Sequence, residues 1–380
     1  MSDKELAYAK QGAMATRSWD CFQRLIRCCL VSDHRVAFSF SAARNHRQGL
    51  KNGAGEEARR PKAYLSGVML SVTILLLIGM AWLGATPSWA LTRTLRKGPA
   101  LVIVTFGTTT DAKETYDAFS DQLQKELPEE WRSAPVTWAY TSEIVRERVN
   151  KQYAEQGDPR RLKSLIQVLA DLEDQGYRKV AVQSLHIFPG QEYEQLEREI
   201  AAFRGLGMHI EYGGTLLHRW DMLFAAVNAV APDFLPKGEG CTLLVTHGTP
   251  QTFPGSNSTY LGLDRYLTET FGSVSVGTVD GIISRKEALG RVKGCAPARV
   301  RVVPFMYVAG DHIMSDIMGD KPDKEGVPSW AMELQAAGVK VEAVTTEYQG
   351  RRVFKGLGFY PEINNIFIKQ LIASLERLER

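Results

Sequence analysis

From about residue 98 onward, short apolar runs alternate with stretches whose apolar residues recur at helical spacing. Ala100–Phe106, Lys179–Leu185, Cys241–Thr246 and Val302–Val308 read as strands buried on both faces, the pattern of a parallel sheet. Val302–Val308 runs out into a Gly310-Asp311-His312 turn. Between the strands, Tyr116, Phe119, Leu123 and Leu127 share one face of a helix that starts near Asp111, with Glu114 three residues on as in a capping box. Asp158-Pro159 reads as a second helix start, leading through Leu162, Leu165, Ile166, Leu169 and Leu172 to a stop at Gly176. Further helices are expected near 192–203, 218–230, 259–271, 284–292, after Gly310, and at 361–378. Strands are expected at 135–141, 208–213, 273–279 and 339–345.

Val102-Ile-Val-Thr-Phe-Gly-Thr-Thr109 is echoed by Leu243-Leu-Val-Thr-His-Gly-Thr-Pro250, and each copy opens a strand–helix alternation. The expected fold class is therefore α/β, two doubly wound halves related by duplication. The Pro- and Gly-rich stretch from Pro232 to Gly240 is the linker, which puts the halves at 91–236 and 237–380. Two such halves leave a cleft between their strand C-termini, where a large planar ligand can sit.

The front of the chain differs. Residues 1–62 show no sustained periodicity and read as a disordered or non-mature extension. Arg59-Arg60-Pro61-Lys62 precedes a run from Ala63 to Thr92 without a charged residue, apolar at its centre. With the small-x-small site Ser88-Trp89-Ala90, residues 63–90 read as a cleaved secretory signal, a membrane anchor being the alternative. The globular part is then expected in the periplasm, touching a membrane only through this segment.

Composition is that of a globular protein, 44% hydrophobic and 23% charged over 380 residues. The net charge of +3 is uneven: residues 1–62 hold twelve Lys and Arg against six Asp and Glu, leaving the remainder slightly acidic. Nothing there suggests nucleic-acid binding. Of the five cysteines, only Cys241 and Cys295 lie in the globular part, without zinc-site spacing; they read as two separate thiols, with pairing in an oxidising compartment as the alternative.

His186, His247 and His312 each follow the C-terminal end of an expected strand, where ligands bind in open α/β sheets. His209 and His218 read as structural or surface groups. Glu192, just after Pro189-Gly190, reads either as a carboxylate at a helix N-terminus or as one facing the same cleft. Two neutral imidazoles and a carboxylate suit a borderline divalent ion such as Co, Ni, Fe or Zn. The same groups can accept the two N–H protons that a tetrapyrrole loses as a metal enters. No P-loop, GxGxxG or GxSxG element is present.

Val-Thr-Phe-Gly-Thr (104–108), Gln-Ser-Leu-His (183–186) with Gly190-Gln-Glu-Tyr193, Thr-His-Gly-Thr (246–249) and Val-Ala-Gly-Asp-His (308–312) together resemble the anaerobic, ATP-independent sirohydrochlorin cobaltochelatases. The resemblance spans about residues 98–378. It implies two flavodoxin-like halves with the active site between them, and insertion of Co²⁺, or in some relatives Fe²⁺ or Ni²⁺, into sirohydrochlorin. It places His247, His312 and Glu192 as metal-binding and catalytic residues, with His186, Phe106 and Gly107 on the tetrapyrrole side. This chain has Thr246 where the family has Gly. The export segment departs from cytoplasmic members and points to an alternative, a periplasmic tetrapyrrole-, haem- or metal-binding protein, with a homo-oligomer left open. No haem ligand is placed.

Overall fold

The structure is a computed structural model that describes residues 95–250, 252 and 254–380. The extension expected at 1–62 and the stretch at 63–90 that reads as a signal or anchor lie outside the described residues. Among those described, no helix is long and apolar enough to cross a membrane.

The first half is a four-stranded parallel sheet: β1 (Ala100–Thr105), β2 (Val136–Tyr140), β3 (Lys179–Ser184) and β4 (His209–Gly213), in the order β2-β1-β3-β4. The second repeats it with β5 (Cys241–Thr246), β6 (Val274–Thr278), β7 (Arg299–Pro304) and β8 (Lys340–Ala343), in the order β6-β5-β7-β8, again all parallel. Both halves thus share one topology, as the repeated strand-Gly-Thr pattern leads one to expect.

Alternation along the central strands sorts side chains into layers. In β1, Leu101 and Ile103 enter a core shared by both sheets, while Ala100, Val102 and Val104 face the outer core of the first half. That outer core is covered by α3 (Leu165–Asp174) and α4 (Gln191–Gly205). The second sheet has its own outer core under α7 (Arg285–Lys293) and α8 (Trp330–Ala336). The shared central core takes side chains from α1 (Glu114–Glu126), α5 (Trp220–Val230), α6 (Pro254–Phe271) and α9 (Pro361–Leu378).

Several expectations are corrected. The helix expected from Asp158 starts at Leu165. Asp158 instead binds the Arg160 backbone N–H and guanidinium, while Ser164 and Gln167 form the reciprocal capping box that starts α3. An unexpected helix, α2 (Glu143–Glu155), precedes it, capped by Ser142 and burying only Val145 and Val149. The helix expected from His218 begins at Trp220. The strand expected over Val302–Val308 stops at Pro304; Phe305 donates to Val245 O, and the chain then turns away. A two-stranded antiparallel hairpin, β9 (Thr345–Tyr348) with β10 (Arg351–Phe354), was not expected.

Cys241 and Cys295 form a disulfide with Cα atoms 5.9 Å apart, not two separate thiols. Cys241 opens β5 opposite Val300 of β7, and Cys295 lies between α7 and β7, so the sheet itself brings them together. Finally, α9 follows the strands of the second sheet in sequence but packs on β3 and β4 of the first. Its stripe Ile363, Phe367, Leu371, Leu375 and Leu378 is buried there, Gln370 accepts from Gly214 N–H, and Arg377 pairs with Glu211.

Candidate functional site

Three strand ends of the two sheets converge on one seam. Phe106 directly follows β1, and its half-exposed ring lies 6.3 Å from the His247 ring. Gly107 turns the chain at φ +101, where a side chain would be strained and would also meet Val145 Cγ1. The loop then passes Gly310, where an added β-carbon would sit 3.0 Å from Thr108 Oγ1. On the same seam, Phe188 packs edge-on against the buried Tyr260 at 4.8 Å, and Ser256 Oγ donates to Pro189 O.

His247 directly follows β5. Its backbone C=O accepts from Asp280 N–H, and Gly248, at φ +86, has no room for a side chain against Asp280 O. His247 Nδ1–H donates to Gly248 O at 3.2 Å, which leaves the Nε2 lone pair free. His312 opens a short π-helix, His312–Ile317, the kind of irregular turn found often at functional sites. Its Nδ1–H donates to Asp316 Oδ2 at 2.6 Å, so its Nε2 is free as well. The two rings stand 4.8 Å apart at 74°. This is a pair of imidazoles fixed through Nδ1 and open through Nε2, the arrangement of metal-ligating histidines.

Their surroundings push their pKa values in opposite directions. Burial, then the neighbouring His312, holds His247 below the usual histidine value. The Asp316 hydrogen bond raises His312 against its own burial, with Asp280 and Asp311 adding to it. Asp280 thus acts on both imidazoles. It follows β6 in Gly277-Thr-Val-Asp-Gly281, at a strand end like those that precede His186 and His247, and a lone carboxylate in a Gly-rich turn carries no sequence signal of this.

Glu192 heads α4 in its first turn, and its charge acts on His247, His186 and Tyr260. Among the described residues, however, no three His, Cys, Asp or Glu side chains stand close enough together to hold a metal ion. The structure brings together His247 and His312, with the carboxylates around them rather than in a closed set. His186 is held differently: Ser184 Oγ lies 2.7 Å from Nδ1 and Thr141 Oγ1 3.2 Å from Nε2. With both nitrogens occupied and burial lowering its pKa, it is a neutral, fixed wall group rather than a ligand. His209 and His218 are exposed. An open groove of ≈ 520 Å³ over α2 and α3 contains none of these groups.

A site of two open imidazoles ringed by carboxylates can bind a divalent cation and accept protons beside it. The chain is 26% identical to a sirohydrochlorin cobaltochelatase of Salmonella typhimurium over 279 residues, 73% of this chain and 96% of that protein. It is 27% identical over 260 residues to the sirohydrochlorin cobaltochelatase CbiKC of Nitratidesulfovibrio vulgaris, 66% of this chain and 85% of that protein. Among solved structures, SirB of Bacillus subtilis with Fe³⁺ aligns with a TM-score of 0.47 at 16% identity, covering 74% of this chain and 97% of that one. The profile of the cobalt chelatase (CbiK) family matches residues 99–376, which takes in both sheets and every strand end described above, and the chain belongs to that family.

Proposed function

We propose that this metal chelatase inserts Co²⁺ into sirohydrochlorin without nucleotide hydrolysis, releasing two protons. The observation that carries the reading is the His247–His312 pair, two imidazoles 4.8 Å apart with both Nε2 atoms open. The relatives named for the same reaction support the substrate and the metal. A lone pair that binds the metal cannot also take a proton. The imidazoles therefore present Co²⁺, and nearby carboxylates, Glu192 first, take the pyrrole protons. Fe²⁺ or Ni²⁺ would fit the same donors. The test is the purified protein with sirohydrochlorin and Co²⁺. Formation of the metallated spectrum faster than in the protein-free control is expected, and an unaccelerated rate overturns the reading. A coloured, tetrapyrrole-loaded protein without turnover would instead fit the transport alternative.

The site works in an exported protein, in this reading. The signal-like segment at 63–90 and the Cys241–Cys295 disulfide support it, since disulfides persist in oxidising compartments. Sequencing the N-terminus of the protein from a periplasmic fraction tests this. A start near Leu91 is expected, and an intact N-terminus in the cytoplasmic fraction overturns it.

A further inference from the structure

The β9–β10 hairpin belongs to neither four-stranded sheet. It turns at Gln349 and Gly350, both at positive φ, and its arm crosses to the first half, where Arg351 forms an ion pair with the buried Glu114 at the start of α1. Under the hairpin lies a cavity of ≈ 260 Å³. Ala309, Met314, Phe354 and Phe359 give it an apolar lining, and Arg352 is the cation in its wall not engaged by a carboxylate. Arg352 Nε donates to Thr345 Oγ1 at 2.8 Å, and its two Nη groups have no partner among the described residues.

The cavity lies beside the metal-presenting turn. Ala309 precedes His312 by three residues and Met314 follows it by two, a reach of at most about 7 Å of chain on the Met314 side. Sirohydrochlorin is a polycarboxylate, with acid arms on short hydrocarbon stems all round its rim. A macrocycle centred on His247 and His312 sends arms outward past that turn. An apolar cavity with one free guanidinium suits such an arm: the stem meets apolar wall and the carboxylate meets a planar two-pronged donor. Glu114 does not compete for Arg352, because it is committed to Arg351. Asp111, also in the lining, is exposed and screened by solvent.

Resting on the tetrapyrrole reading above, we propose that Arg352 anchors one peripheral carboxylate of the substrate, as a specificity-determining residue. The Arg351–Glu114 pair is the brace that holds the hairpin in position for it.

The test is Arg352→Ala and Arg352→Lys in the full protein, with sirohydrochlorin binding followed by fluorescence without metal, and Co²⁺ binding measured separately. Loss of a charge-assisted bidentate contact should weaken tetrapyrrole binding and raise KM roughly tenfold or more. kcat and Co²⁺ affinity should stay near wild type, and Lys should restore part of the loss. The methyl ester of the same tetrapyrrole should bind wild type and Arg352→Ala equally. Unchanged sirohydrochlorin affinity in Arg352→Ala overturns the assignment while leaving the chelatase reading standing. Wild-type binding that depends on Arg352 but gives no turnover supports the anchor and overturns the chelatase reading. Absence of any binding by the wild type overturns both. Arg352 is exposed, so folding is expected to survive; if Arg352→Ala melts early, Arg352→Gln carries the same comparison.

Discussion

His312 Nδ1 lies 2.6 Å from Asp316 Oδ2, so a carboxylate four residues on fixes both the tautomer and the tilt of the imidazole that faces His247. This contact also sets a pH dependence. It raises the pKa of His312, so in the metal-free protein the ring stays protonated into the range above the usual histidine value. A protonated ring cannot bind a metal. Co²⁺ affinity should therefore rise with pH through an inflection on the alkaline side of about 6.5. Asp316→Asn should move that inflection down, as followed by NMR of the imidazole. It should still cost roughly ten- to hundredfold in Co²⁺ affinity at alkaline pH, because the ring loses its orientation.

His247 and His312 act as a unit. His247→Ala and His312→Ala should each abolish most cobalt insertion, and the double variant should be little worse than either single one. Initial rates of metallation measure this, and near-additive losses would show that the two imidazoles work separately. His186→Ala should behave differently, because both its nitrogens are held by Ser184 and Thr141. Metal binding should persist while the wall of the cleft loosens.

The disulfide closes a segment whose ends are 54 residues apart and which carries His247 and Asp280. Chain-entropy arguments give it about 4 kcal/mol of stability. Cys241→Ser with Cys295→Ser, or reductant alone, should lower the thermal midpoint of the wild-type protein by several degrees. Since the bridge sits at the start of β5 and His247 follows its end, the reduced protein should keep its chelating geometry at temperatures where it stays folded.

Leu371 is fully buried where α9 lies on the first sheet. Leu371→Ala should cost about 2–5 kcal/mol by leaving a cavity in the shared core. Equilibrium denaturation would show it as a lower midpoint.

Much of this was legible in the sequence because the central strands are apolar on both faces and their pattern repeats. His186 and His247 closely follow such strands, whereas His312 comes only after the turn beyond β7, which ends at Pro304. Other features depend on tertiary placement. The helix Glu143–Glu155 buries only two valines, so its charged face hid its periodicity. Asp280 is one carboxylate in a Gly-rich turn, and only the pairing of β6 beside β5 makes it a neighbour of His247. The cysteines are joined by the β5–β7 pairing, which spacing alone does not reveal. The apolar stripe of α9 shows that it is buried but not which sheet buries it.

That helix has a consequence for how the molecule is made. The inner face of β3 and β4 is covered by residues synthesised after the whole second sheet, so the first sheet emerges with that face uncovered. Until Pro361–Leu378 arrives, those strands present a sticky apolar surface. A nascent or clipped chain lacking its last turns should therefore be a client for holding chaperones and quick to aggregate, however complete its histidine pair.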